Sequence, residues 1–258
     1  MTRQVFHTSG LDVDASTVTV GQELSLGGDE GHHAFVKRVE VGECIDLVDG
    51  QGLRLVCEIV SAARRGPQLR VGEVVAEDAP APRIVLVQAL AKGGRDEQAV
   101  ETATEVGIDA VLPWQANRSI VRWAGPKADK ARAKWEGVAL AAAKQARRAW
   151  VPEVLGAVDS RSLARWARGF IAEGGAVLVC HEEAVGTLSA LVAERSQQLR
   201  ECVGIALVVG PEGGIDGDEL DALTRVGATP VLLGPHVLRA STAGPVAAAL
   251  VGAAVGRW

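Results

Sequence analysis

The sequence predicts an α/β protein: a parallel sheet covered on both faces, preceded by a smaller β-rich unit. Three observations carry this. After Pro82, continuous apolar runs alternate with longer helical stretches, the rhythm of strands buried on both faces and joined by crossover helices. Before residue 76, short apolar or alternating segments are separated by turn residues, as in a small antiparallel structure. Between the two, residues 77–82 read Glu-Asp-Ala-Pro-Ala-Pro; proline supplies no backbone donor and restricts its neighbour, which marks a linker. The expected organisation is a first domain at 1–75, a linker at 76–82 and a second domain at 83–258.

In the first domain Val18–Val20, Cys44–Val48, Leu53–Ile59 and Gln68–Val75 read as strands and His32–Val39 as a short helix. Asp49-Gly50-Gln51-Gly52 is a strong turn signal. Together they suggest a small barrel or half-barrel. In the second domain Ile84–Ala89, Ala110–Pro113, Ala176–Cys180, Gly204–Val209 and Val231–Leu233 read as buried strands. Helices are expected at Gln98–Val106, stopped by Gly107, at Lys127–Arg148, Ser162–Ile171, Asp218–Val226 and Ser241–Val255. Asp216 and Glu219 have the spacing of a capping box, and Ser241 or Thr242 is the expected cap of the last helix.

Of 258 residues 48% are hydrophobic and 23% charged, which allows a substantial core. With no Tyr, three Phe and six Trp, that core is aliphatic with tryptophan as its bulky unit. Neither the opening MTRQVFHTSG nor Pro245–Val255 has the apolar length of a leader or a membrane span, so a cytoplasmic protein with no membrane partner is expected. Cys44, Cys57, Cys180 and Cys202 are widely spaced; they read as ordinary buried thiols, and no metal site is expected. A net charge of -5 argues against nonspecific coating of nucleic acid. Yet Arg118, Arg122, Lys127, Lys130, Arg132, Lys134, Lys144, Arg147 and Arg148 face only Asp129 and Glu136 within one stretch. That stretch is either a phosphate-binding surface or a solvated helix face.

Two adjacent strand ends carry unusual loops. Leu207-Val208-Val209 runs into Gly210-Pro211-Glu212-Gly213-Gly214-Ile215, and Val231-Leu232-Leu233 into Gly234-Pro235-His236-Val237-Leu238-Arg239. In parallel α/β sheets ligands sit outside the carboxyl ends of strands. Glycine lets backbone approach a ligand closely, so such loops suit a flat nucleoside held by backbone groups. Other chemistries lack their motifs: there is no P-loop, no G-x-G-x-x-G in the first βα unit and no G-x-S-x-G elbow. His181-Glu182-Glu183 begins like a zincin helix, but position 185 is Val; His181 reads as a polar strand-end residue.

At these loops the chain resembles a known family. Leu207–Leu220, LVVGPEGGIDGDEL, and Leu232–Thr242, LLGPHVLRAST, are similar to the paired motifs of the bacterial 16S ribosomal RNA (uracil-N3)-methyltransferases of the SPOUT class. Arg3–Phe6, His32–Val39, Glu101–Gly107, Ala110–Arg118 and Ala141–Glu153 resemble further family segments in the same order. The resemblance implies a parallel sheet with a C-terminal trefoil knot, an N-terminal PUA-like RNA-binding barrel and homodimers formed through the knot. It implies S-adenosylmethionine as cofactor and, as substrate, the uridine at family position U1498 of 16S rRNA in the 30S subunit. By that analogy Leu207, Gly210, Glu212, Gly213 and Ile215 line one side of the cofactor pocket and Leu232, Leu233, Gly234, Val237 and Leu238 the other. Arg239 matches the motif arginine and is the candidate catalytic residue, a guanidinium for charge developing on uracil oxygens. Glu212 suits a loop-shaping role. Lys37, Arg38, Arg118, Arg122, Arg147 and Arg148 are the candidate RNA-binding residues.

The chain departs from the family where Ser241 replaces a motif carboxylate and where Lys92-Gly93-Gly94-Arg95 lacks an Asp. Two other readings stay open: a SPOUT ribose 2′-O-methyltransferase, whose Asn-x-x-Arg and Ser-Leu-Asn segments find no match, and a noncatalytic RNA-binding assembly protein. Replacing Arg147 and Arg148 together by Gln should weaken RNA binding and lower the slope of log K against log salt by about 1 to 2. An unchanged slope in a salt titration would return both residues to the solvated face.

Overall fold

The computed structural model describes residues 3–63 and 66–258. It divides into two compact units, Met1–Ala79 with Ala143–Val151, and Pro80–Ala142 with Pro152–Trp258.

The first unit contains β1 (Gln4–His7), β2 (Glu23–Ser25), α1 (Gly28–Val36), β3 (Cys44–Val48), β4 (Leu53–Ala63) and β5 (Gly66–Ala76). The sheet order is β1-β3-β4-β5-β2, antiparallel except for β1 beside β3. Phe6, Leu24, Leu26, Leu47, Leu55, Ile59 and Leu69 fill its core. Asp46 is buried on β3 and pairs with Arg3 and Arg54. Arg54 also binds Glu77 and donates to the Arg147 carbonyl at 3.0 Å. With the Lys144–Glu30 pair and the Trp150 indole on the Glu77 carbonyl, this ties residues 143–151 into the unit.

Val18–Val20 are not a strand. The Asp14 side chain accepts from the Ser16 N–H and caps a 3-10 turn at Ala15–Thr17, and the strand forms at Glu23–Ser25 instead. The helix begins at Gly28, earlier than the apolar pattern suggests, and ends at Val36, where Arg38 takes a positive φ of 56°.

The second unit contains β6 (Arg83–Ala89), α2 (Arg95–Val106), β7 (Ala110–Gln115), α3 (Pro126–Gln145, its last turn counted with the first unit), β8 (Glu153–Val154), β9 (Val158–Asp159) and α4 (Ser160–Ala172). There follow β10 (Ala176–Cys180), α5 (Leu188–Glu201), β11 (Gly204–Val209), α6 (Gly217–Arg225), β12 (Thr229–Val231) and α7 (Ala240–Ala254). Every strand pair is parallel, in the order β12-β10-β11-β6-β7-β8, with β9 also on β7. Alternation along β6 sends Ile84 and Leu86 into the core under α2, α3, α5 and α7, and Val85 and Val87 into the core under α4 and α6. The chain leaves β6 toward β7 but leaves β11 toward β12, in opposite directions. Connections that diverge in this way open a crevice at the carboxyl ends of the strands.

Several boundaries move. Helix α3 stops at Gln145 rather than Arg148, because Arg147 has a φ of 59°. The last strand is Thr229–Val231, two residues before the apolar run suggested. Arg239, not Ser241 or Thr242, is the N-cap of α7, without a side-chain cap bond. Helix α5 carried no sequence signal; it is capped by the Thr187 hydroxyl and buries only Leu188, Val192 and Leu199. Of the cysteines, Cys57 is buried and Cys44 exposed. No helix among the described residues is long and apolar enough to cross a membrane.

Helix α6 starts with the full capping box: Asp216 accepts from the Glu219 N–H at 2.8 Å and Glu219 from the Asp216 N–H at 3.1 Å. The Asn117 amide bonded to Asp216, with the Glu219 N–H, holds the Asp216 carboxyl below its ordinary pKa. Asp216→Ala should therefore cost about 1 kcal/mol at neutral pH. A folded pKa below the unfolded one means this stability is complete above about pH 4 and is lost as pH falls through the folded value. Denaturant titrations of the two proteins should converge on acidification; a pH-independent difference would assign the loss to helix propensity.

Candidate active site at the carboxyl ends of the strands

Three loops meet at one edge of the parallel sheet: 181–187 after β10, 210–216 after β11 and 232–239 after β12. They enclose a cavity of about 450 Å³ with Cys180, Val209, Ile215, Leu238 and Ala243 among its walls. A smaller cavity of about 210 Å³, walled by 232–238, shares Cys180, His181, Glu182, Val237, Leu238 and Ala243 with it. The larger lies in the usual size range of small-molecule clefts. Arg95, Arg118, Arg239, Glu182 and Glu212 also line it.

Loop 210–216 is folded on itself and pinned from outside. A Cβ on Gly210 would stand 2.7 Å from Ile215 Cγ1, so glycine is needed for this closure. The positive φ of the turn, 74°, falls on Gly214, whose N–H donates to the Pro211 carbonyl. Gly213 has another role: a Cβ there would meet Arg118 Cβ at 3.0 Å, and Arg118 Nη1 donates to the Gly213 carbonyl at 3.0 Å. Glu212 accepts from the Lys92 N–H and from Arg95 Nη1, at 3.2 and 3.0 Å. It thereby joins this loop to the one after β6.

Behind the loop lies a buried carboxylate. Glu219, 3% exposed, accepts from the Asn117 N–H at 2.7 Å, from the Ser160 hydroxyl and from the Asp216 N–H. The Trp114 indole donates to Ser160 Oγ at 3.2 Å. Loop 232–239 is held by backbone: Leu232 N–H donates to the Gly186 carbonyl and Leu188 N–H to the Leu232 carbonyl. The Arg239 carbonyl accepts from Thr242 and Ala243. Its exposed side chain has no hydrogen-bond or ion-pair partner among the described residues.

Of the residues expected to form a cofactor pocket, Gly210, Glu212, Ile215, Val237 and Leu238 line the larger cavity, and Leu232, Leu233 and Gly234 the smaller. Leu207 and Gly213 line neither. Leu207 is wholly buried in the core one pleat below Val209, and Gly213 packs on Arg118. Arg239 lines the larger cavity, as does Arg118, which sequence grouped with the RNA contacts. Arg122 donates to the Asn117 carbonyl at 3.0 Å. Lys37 and Arg38 are exposed at the end of α1, and Arg147 is exposed beyond α3. Sequence reasoning gave Cys180, which ends β10, Glu182, which lies in the 181–187 loop, and Arg95 no part in the pocket. Only the position of Cys180–Glu182 at the end of a buried strand signalled the first two. Burial pushes the Cys180 thiol up to about 12, so it is a neutral wall. Ser241, in place of the family carboxylate, is buried in the first turn of α7.

The fold is a parallel α/β sheet with a cleft of glycine-proline loops at its carboxyl edge, the place where such sheets bind ligands, and residues 77–252 match the family model described as an RNA methyltransferase domain. The chain belongs to that family. More particularly, it belongs with the ribosomal RNA small subunit methyltransferase E proteins. It is 44% identical over 239 residues to that of Mycobacterium bovis, covering 92% of this chain and 89% of the relative. It is 32% identical to that of Bacillus subtilis, covering 90% and 91%. The crystal structure of the Neisseria gonorrhoeae enzyme bound to S-adenosyl methionine aligns with a TM-score of 0.77 at 26% identity, over 97% of both chains.

The Arg118–Gly213 bond generates a prediction. Arg118→Ala should raise amide exchange across 210–216 several-fold while leaving the strands β6 and β11 protected. Hydrogen–deuterium exchange reads this directly; unchanged protection of the loop would mean that the Glu212 and Asp216 contacts hold it without Arg118.

Proposed function

We propose that this chain transfers a methyl group from S-adenosylmethionine to N3 of a uracil in 16S ribosomal RNA of the small subunit. The carrying observation is the unequal state of the three arginines that line the cavity. Arg95 is bound to Glu212 and Arg118 to the Gly213 carbonyl, while Arg239 keeps all its donors free of described partners. Uracil N3 must lose its imide proton, and negative charge then spreads over the flanking carbonyl oxygens. A free planar guanidinium suits that charge, and holding N3 in line for attack supplies further acceleration.

The residues present fit the cofactor. The cleft has the volume for a nucleoside with an amino-acid tail, apolar walls, and a loop that closes only because Gly210 has no Cβ. Gly210, Glu212 and Ile215 would hold it on one side, and Leu232, Leu233, Gly234, Val237 and Leu238 on the other. Leu207 supports that wall from the core, and Gly213 does so through Arg118. When bound, S-adenosylmethionine supplies an electrophilic methyl on its sulfonium. Glu212, occupied by Lys92 and Arg95, serves loop shape and leaves the chemistry to Arg239.

The remaining organisation follows the same reading. Residues 1–75 act as a PUA-like RNA-binding barrel, with Lys37 and Arg38, and residues 83–258 as the transferase, with Arg122 as a further RNA contact; Arg147 and Arg148, in the 143–151 segment that packs with the first unit, serve as RNA contacts there. A trefoil knot is supported by the edge position of β12, the two hydrogen bonds between Leu232 and 186–188, and the return of α7 onto β6 and β11. Exposed Val185 and Val237 on the loops of that region support a homodimer formed there. A ribosomal substrate supports a cytoplasmic location.

Small subunits from a strain lacking this protein should accept methyl groups from S-adenosylmethionine as 3-methyluridine, seen by mass spectrometry. No transfer, or transfer to ribose, would overturn the reading. Arg239→Ala should lose about 10²–10³ in single-turnover rate with cofactor affinity by calorimetry within a few-fold of wild type, and Arg239→Lys should recover part. Lost cofactor binding would make Arg239 structural.

A further inference from the structure

Helix α4 carries a basic feature separate from the Arg118–Arg148 stretch. Its sequence, SRSLARWARGFIA, holds Arg161, Arg165 and Arg168 and no acid. Spacings of four and three put the three side chains on one face, over about 10 Å of helix, and all three residues are exposed.

This arrangement works against the helix. Like charges at these spacings repel, and Arg161 sits in the first turn, at the positive end of the macrodipole. Compensation is slight: the exposed Asp159 carboxylate attracts Arg161 and Arg165 only through space. Among the described residues no carboxylate forms an ion pair with any of the three; Arg165 donates only to the Ser162 hydroxyl, at 3.0 Å. Asp159 is occupied in capping the helix through the Ser162 N–H. Local rules broken with so little compensation mark functional positions.

The row borders an open cavity of about 500 Å³ whose other wall includes Asn117, Asp218 and Glu219. The Glu219 carboxylate is turned inward and satisfied, which leaves Asp218 as the one acid of that wall in solvent. Asn117 precedes Arg118, which binds the Gly213 carbonyl. The cavity thus adjoins the segments that build the reaction cleft.

We propose that the α4 arginine row is an RNA-backbone contact, which grips consecutive phosphates of the substrate beside the methylation site. This rests on the reading of the chain as a ribosomal RNA methyltransferase. A linear polyanion matches a straight, open row that forms no ion pairs; a small anion would need convergent donors, which an extended helix face does not offer.

The test uses the full chain with Arg161→Gln, Arg165→Gln and Arg168→Gln combined, and small subunits from a strain lacking the enzyme. KM for subunits should rise about tenfold or more at physiological salt, with turnover at saturation within a few-fold and cofactor affinity unchanged. The slope of log K against log salt, from direct binding to the same subunits, should fall by about 2 to 3. The triple Lys variant should restore it. The melting temperature should stay level or rise, since mutual repulsion has been removed. An unchanged KM, or a raised KM with an unchanged salt slope, would overturn the proposal; the second outcome would point to a ribosomal protein as the partner. If wild type transfers no methyl to subunits, the functional reading fails, while the binding slope still decides whether the row contacts RNA.

Discussion

The buried Glu219 carboxylate is the contact on which the carboxyl edge of the sheet depends. Its donors come from three separate segments: the Asn117 N–H after β7, the Ser160 hydroxyl opening α4 and the Asp216 N–H after β11. A buried charge that loses one partner costs several kcal/mol, so the three segments can take only a joint geometry. That geometry fixes where Arg118 emerges to meet Gly213 and where α6 starts. The shape of the cleft therefore follows from satisfying one acid.

A second constraint is the sorting of arginines into tied and free. Arg54 and Arg257 are anchors: Arg54 spans Asp46 and Glu77, and Arg257 binds Asp109 and the Pro82 and Gly107 carbonyls. Arg95 and Arg118 shape the cleft. Arg239 and the α4 row lack such partners. A net charge of -5 conceals this, because local fields act over roughly a Debye length, about 8–10 Å, and a total charge averages over the whole surface.

Much of the second unit was legible because its strands are buried on both faces. Ile84–Ala89, Ala176–Cys180 and Gly204–Val209 read as unbroken apolar runs, and the structure has strands there. The Asp216–Glu219 box is local chemistry and was equally readable. Helix α5 was not, because a polar sequence, Ser-Gln-Gln-Leu-Arg-Glu, fills its second half and only three residues are buried. Val18–Val20 misled because apolar residues also follow a capped turn. The end of α3 depends on the φ of one non-glycine residue, Arg147, which composition does not reveal.

By itself the sequence determined the α/β class of the second unit, the two glycine-proline loops after buried strands and the family. All three are written in local patterns, none longer than about fifteen residues, and in their order along the chain. The tertiary structure alone decided which residues reach the cleft. Neighbouring parallel strands are separated in sequence by whole crossover helices, so no local pattern tells that the loop after β10 joins those after β11 and β12. The same holds along one strand, where Leu207 is covered and Val209 reaches the cavity. It holds most for the arginines, since whether a guanidinium is tied or free depends on carbonyls and carboxylates that folding brings from about a hundred residues away, as it brings Gly213 to Arg118.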